Sequence, residues 1–170
     1  MESIIGGRTA SDMPGLDIAE QRSWQHFLDS ALRMYATLNR SLLDEHQLTL
    51  NDVRLLDILD KSATGSSRMG DLADALMSLP SRVTRQIRRL ELQGLVRRGA
   101  SPEDGRGVLA TITDEGRSAV REAMATYGEG VRVHFLGRLS RPQIAAMGEN
   151  CRRISVALKT AAPPAKLGRV

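Results

Sequence analysis

Between Ser81 and Arg89 the chain reads Ser-Arg-Val-Thr-Arg-Gln-Ile-Arg-Arg, four guanidiniums and two hydroxyls in nine residues. Arginine at that density suits one chemistry above others. Its planar fork grips phosphate and reads guanine through two parallel hydrogen bonds. Whether the groups act together depends on whether they share a face. Val83, Ile87 and Leu90 recur at spacings of four and three, so they form the apolar stripe of a helix. Ser81, Arg82, Thr84, Arg85 and Arg88 then fall on the side away from the stripe. Arg89 lies nearer the core side and is expected to touch phosphate or the neighbourhood of Glu91.

A basic face on a lone helix is ordinarily just solvated surface, so the flanking elements decide its meaning. Ahead of it, Leu72, Ala73 and Leu76 mark the inner face of a short helix that starts near Met69. Behind it, Gly94 is placed as a terminal glycine. Leu95 to Ala100 reads as a strand and Gly107 to Ile112 as its return, with the turn-rich tip Ser101-Pro102-Glu103-Asp104-Gly105-Arg106-Gly107 between them. On the first strand Arg97 and Arg98 alternate sides, one towards DNA and one towards solvent; Arg98 is assigned to DNA. In the tip, Arg106 sits between two glycines with Asp104 two residues earlier, a placed cation of the kind that narrow minor grooves attract. Short helix, turn, basic helix and hairpin make a winged helix-turn-helix over 49–113. Its commonest task is to lay the second helix in a DNA major groove.

Charge agrees with this assignment. Net charge is +4, but residues 1–60 hold 5 Arg against 10 acids, whereas residues 61–170 hold 19 Lys or Arg against 10 acids. The basic excess gathers in and after the winged segment, which points to a polyanion. Aromatics make up 3% of the chain, too few for base stacking along single strands. No apolar run approaches the roughly 20 residues that span a bilayer, and residues 1–15 lack an apolar signal core; a cytoplasmic location is expected. The lone Cys151 suits a reducing compartment. It falls on the apolar stripe Ile144, Met147, Cys151, Ile154 and Leu158, so a buried, inert thiol is expected. His26, His46 and His134 lack ligand spacing, so no metal and no cofactor is expected. No nucleophile motif, phosphate loop or paired carboxylate set is present; Asp57 and Asp60 read as the polar edge of a helix. An enzyme is not expected.

The remaining elements must carry this lobe. Residues 1–16 are expected to be flexible and 161–170 disordered, leaving one domain over 17–160. From Asp17, the residues Trp24, Phe27, Leu28, Ala31, Tyr35, Leu38 and Leu42 step by three or four into a helix of about 28 residues ending near His46. Thr49 caps the next helix with Asp52 three residues on. Val53, Leu55, Leu56, Ile58 and Leu59 make that helix apolar nearly all round, a central core element. Lys61 to Ser67 reads as a polar loop. After the hairpin, Thr113 starts a helix striped by Val120, Met124, Tyr127, Val131 and Phe135. Gly128 and Gly130 within it imply a bend or a close contact. Ser140 and Gln143 start the last helix. The helical segments 17–48 and 114–160 have more apolar face than one winged lobe can cover, and a two-fold dimer is the economical solution. Where the first and second helices meet the lobe, Trp24, Met34, Tyr35, His46 and Arg54 combine flat apolar surface with polar heads, suiting a planar ligand with a carboxylate. The competing reading makes Trp24 and Tyr35 dimer-core residues with no pocket.

Together these features resemble the multiple antibiotic resistance regulator (MarR) family of bacterial transcription factors. The resemblance covers about residues 20–160. It is carried by Met69-Gly-Asp-Leu-Ala-Asp-Ala-Leu76, Pro80-Ser-Arg-Val-Thr-Arg85 and Leu90-Glu-Leu-Gln-Gly-Leu-Val-Arg97, and most specifically by the tip 101–107 followed by Leu109-Ala-Thr-Ile-Thr-Asp-Glu-Gly-Arg117. It implies a mainly α fold with a small β-wing, a six-helix subunit and an intertwined homodimer. It further implies a repressor released by a small ligand or an oxidant; with the dimer and the planar-ligand residues above, a palindromic duplex operator and a small aromatic or apolar acid are expected. Ser81, Thr84 and Arg85 match the groove-facing positions, and Asp104 and Arg106 match a wing pair in which the acid orients the arginine towards the minor groove. Leu79-Pro80 departs from the more usual polar lead-in to the recognition helix. The alternative is a winged helix that docks an acidic protein without sequence-specific DNA binding.

Overall fold

The computed structural model describes residues 13–100 and 108–160. The expected loose N-terminus up to residue 12, the hairpin tip 101–107 and the tail 161–170 lie outside the described residues. The elements run α1 (Ile18–His46), α2 (Leu50–Lys61), β1 (Ser66–Arg68), α3 (Met69–Ala75), α4 (Pro80–Leu92), β2 (Val96–Ala100), β3 (Val108–Ile112), α5 (Asp114–His134), a 3-10 turn (Leu136–Arg138) and α6 (Arg141–Thr160). Contacts divide the chain into two units, Met1–Thr37 and Leu38–Val170.

In the first unit a reciprocal cap starts α1: Asp17 donates its amide to Glu20 and the Glu20 amide donates to Asp17, both at 2.8 Å. Two orphan donors of the first turn are thereby satisfied. Trp24 and Phe27, one turn apart, bring their ring centroids to 5.8 Å at 37°. Both are exposed, as are Leu28, Leu32 and Tyr35.

The second unit has the core. Leu55, Leu56 and Leu59 of α2 are wholly buried against Leu72, Ile87 and Leu90 of α3 and α4. Each such side chain contributes about 1.5–3 kcal/mol by leaving water. The predicted cap holds: the Thr49 hydroxyl accepts from the Asp52 amide at 3.1 Å, and the Thr49 amide donates to the Asp52 carboxylate at 2.8 Å. Asn39, on the last turns of α1, accepts the first amide of α2 from Leu50 at 2.9 Å. Of the expected core residues of α2 only Ile58 is merely half-buried. Just past α4, Gly94 adopts φ +75, the left-handed conformation that ends a helix at little cost for glycine.

The sheet is antiparallel in the order β1-β3-β2. Strand β1 corrects the expected loop over 61–67. Ser66-Ser67-Arg68 has no apolar alternation, so nothing local announces it; β3 recruits it, pairing Ser66 with Thr111 and joining their hydroxyls at 2.8 Å. Helix α5 starts as read, with the Thr113 hydroxyl accepting from the Gly116 amide at 3.0 Å. The close contact expected at the paired glycines occurs at Gly130, where a Cβ would meet the Leu38 side chain at 2.5 Å; Gly128 is open. At the start of α6, Gln143 accepts from the Ser140 amide at 2.8 Å. No residue of α6 is buried. Cys151, expected to be buried, is exposed, because the apolar stripe it belongs to finds no cover among the described residues.

Candidate nucleic-acid interface

Helix α4 presents the basic face that its periodicity demands. Val83, Ile87 and Leu90 are wholly buried, which turns Ser81, Arg82, Arg85 and Arg88 outward, all exposed. Pro80 occupies the first turn, where its missing amide costs nothing. Among the described residues, Arg82, Arg85 and Arg88 form no ion pair, so their forks are open to a partner from outside. Thr84 is half-buried and donates its hydroxyl to the Pro80 carbonyl at 2.9 Å. Its oxygen can therefore only accept a hydrogen bond from DNA, or present its methyl.

Arg89 does not behave as expected. It turns away from Glu91 and pairs with Asp52 at the start of α2. Asp52 is wholly buried and also accepts from Gln86 of α4 at 2.9 Å and from the Thr49 hydroxyl at 2.6 Å. A buried carboxylate with every lone pair engaged is tolerable, whereas one stripped of a partner is costly. Asp52 thus caps α2 and anchors α4 at the same time. The sequence shows only the first role, since Asp52 and Arg89 are 37 positions apart. Beside this anchor, a groove of about 290 Å³ runs between the start of α2 and α4, edged by Asn51, Arg82, Arg85 and Arg89. Its cations all belong to α4, and α2 adds the polar Asn51.

Arg98 is on β2 as expected, but its guanidinium is folded back on Glu91 of α4, with Nε at 2.7 Å and a terminal nitrogen at 2.6 Å. The Arg98 amide donates to the same carboxylate at 3.1 Å. The guanidinium beside it holds the Glu91 carboxyl below its ordinary range. Arg98 keeps further N–H donors for a phosphate. Asp104 and Arg106 lie outside the described residues.

The five residues expected to bind a ligand are distributed as follows. Trp24 and Tyr35 are exposed and Met34 is half-buried, all in the first unit. In the second unit Arg54 is exposed on α2, and His46 is within 2.8 Å of the Thr126 hydroxyl. Thr126 donates its proton to Glu45 at 2.8 Å, which leaves the His46 ring nitrogen as the donor to Thr126. A groove of about 440 Å³ nearby, between the end of α1 and α5, is edged by Glu45, Glu129 and His134. Among the described residues no group of three or more His, Cys, Asp or Glu is placed to hold a metal ion. No described helix is long and apolar enough to cross a membrane.

This arrangement is shared with known proteins. The profile of the MarR family matches residues 48–108. AbsC, a MarR family transcriptional regulator from Streptomyces coelicolor, is 30% identical and superposes with a TM-score of 0.81, covering 88% of this chain and 100% of its own. Sco3205, a MarR family transcriptional regulator from the same organism solved in complex with DNA, is also 30% identical, with a TM-score of 0.83 over 89% of this chain and 96% of its own. BpsR from Bordetella bronchiseptica, at 24% identity and a TM-score of 0.72 over 82% of this chain and 96% of its own, shares the fold. A comparison with curated protein sequences finds no match. With a basic recognition helix, a hairpin wing and relatives of this identity along nearly their whole length, the chain belongs to the MarR family of transcriptional regulators.

Proposed function

We propose that this DNA-binding regulator acts as a homodimeric repressor that recognises a palindromic duplex operator. The observation that carries the reading is the face of α4: Ser81, Arg82, Arg85 and Arg88 point outward together on a helix fixed from behind by three wholly buried residues and by Asp52. Each arginine can serve guanine or phosphate. In this reading Arg85 and Arg82 read bases, with Ser81 and Thr84 facing the groove beside them, while Arg88 and Arg98 fix the register on the backbone. Asp104 and Arg106 serve the minor groove. That Sco3205 was solved in complex with DNA supports DNA binding as such.

Dimer formation is supported by the exposed stripe of α6, including Met147, Ile154 and Leu158, which is costly in water and self-complementary across a two-fold axis. Regulation by a small aromatic or apolar acid is part of the same proposal. Its support is a protein of this fold, BpsR, whose DNA binding is regulated by 6-hydroxynicotinic acid. A cytoplasmic setting follows from the proposed work on DNA. The direct experiment is selection of genomic duplexes by the purified protein. Recovery of one two-fold-symmetric motif is expected, and enrichment of unrelated sequences in proportion to their abundance would refute the reading.

A further inference from the structure

The turn between α3 and α4 inverts the usual polarity of a surface. Ser78 is half-buried, with its amide pinned to the Ala73 carbonyl at 2.9 Å. The apolar side chains on either side of it face water: Met77 is 85% exposed and Leu79 61%. Two local rules are broken at the same place. Leu79 stands at the N-cap of α4 and makes no side-chain cap, where Ser, Thr, Asn or Asp would satisfy an exposed amide. Met77 holds φ +49 as the residue that ends α3, its amide donating to the Asp74 carbonyl at 3.0 Å, in a left-handed stop where glycine is the usual choice. The helix stop accounts for the backbone at Met77; exposed apolar side chains there and at the uncapped Leu79 are choices that packing does not explain, and such choices are expected where a surface has work to do.

From this placement we propose that Met77 and Leu79 form an apolar reader of thymine 5-methyl groups in the major groove. The proposal rests on the DNA-binding reading above and extends it from guanine to thymine. Leu79 directly precedes Pro80, Ser81 and Arg82, so it continues the same exposed surface at the N-terminal end of α4. That end of a recognition helix is the one that contacts base edges. The thymine methyl is the apolar group that unmodified bases offer in the major groove, and no other part of that groove rewards an exposed leucine. By contrast Leu92, 90% exposed at the opposite end of α4, stands alone, as single surface leucines often do. A leucine and a methionine flanking one turn are a patch, and the patch adjoins the arginines.

Burying one methyl group is worth about fourfold in affinity. The test measures anisotropy of the selected operator against operators in which single thymines are replaced by deoxyuridine, which removes only the methyl. The full-length protein is expected to lose about fourfold at one or two thymines in each half-site. Leu79→Ser supplies the missing cap, so it is expected to melt no lower than the parent while losing sensitivity at one of those thymines. Met77→Gly relieves the backbone at that position and is expected to lose sensitivity at the other. Equal affinity of the parent for every thymine and deoxyuridine operator would overturn the proposal. So would an unchanged deoxyuridine response in both variants. If self-association proves to depend on Leu79 while binding is blind to the methyls, the patch is a protein contact and the proposal fails. Specific binding without methyl sensitivity sinks this inference alone; absence of any duplex binding sinks the DNA reading and this inference with it.

Discussion

Arg85 and Arg89 are four residues apart on one helix, yet they have different work. Arg85 is exposed, and its neighbours on the face are hydroxyls and further arginines. Arg85→Ala is expected to cost about 1–3 kcal/mol in operator binding and to blur preference at one base pair per half-site. A binding series over single-base variants of the operator checks this. Arg106→Ala is expected to weaken A·T-flanked operators in particular, because its groove is read by width. Arg89 instead neutralises Asp52, so Arg89→Ala strands a carboxylate that is wholly buried. The loss is expected to appear in folding, at about 1–3 kcal/mol, with thermal melting as the readout. The basic face was legible in the sequence because period alone places residues on one side of a helix. The direction of Arg89 was not, since its partner lies on another helix far off in the chain. Leu79 was legible only as an unusual lead-in to α4, and Met77 not at all, because exposure is a property of the packed turn.

The wing is joined to the recognition helix by Arg98 and Glu91. Because Arg98 holds the Glu91 carboxyl below its ordinary value of 4.5, the pair stabilises the folded chain above that value and loses the contribution as pH falls through the lowered folded value. In Glu91→Gln this acid-side dependence is expected to be missing, so the melting temperature of the variant should fall less steeply between neutral pH and the acid limb. Identical slopes in parent and variant would show that the pair does not steady the wing. Most elements could be read from their own residues: the reciprocal cap of Thr49 with Asp52, the terminal Gly94 and the stripe of α4 each act within a turn or two. Strand β1 could not, because Ser66–Arg68 is a strand only by virtue of pairing with Thr111, Ala110 and Leu109. Its hydroxyls and arginine give no period of their own.

At the scale of the molecule, the apolar stripe of α6 was legible but its burial was not, as the exposed Cys151 shows. A stripe predicts that some cover exists and says nothing about which chain supplies it. If a second copy supplies it, sedimentation at micromolar concentration is expected to give twice the 18.6 kDa mass of the chain, and Ile154→Asp is expected to shift the protein towards monomer. The operator should then be two half-sites with centres about 10 base pairs apart, matching a two-fold axis. The central claim is sequence-specific recognition of duplex DNA by the exposed face of α4. It is tested most directly by the ratio of affinities for the selected operator and for a shuffled duplex of equal length, measured at one fixed salt concentration for the parent and for Arg85→Ala. The account predicts a parent ratio of about 10³ or more, reduced about tenfold or more by the substitution; a parent ratio near one, or a ratio unchanged by Arg85→Ala, would contradict it.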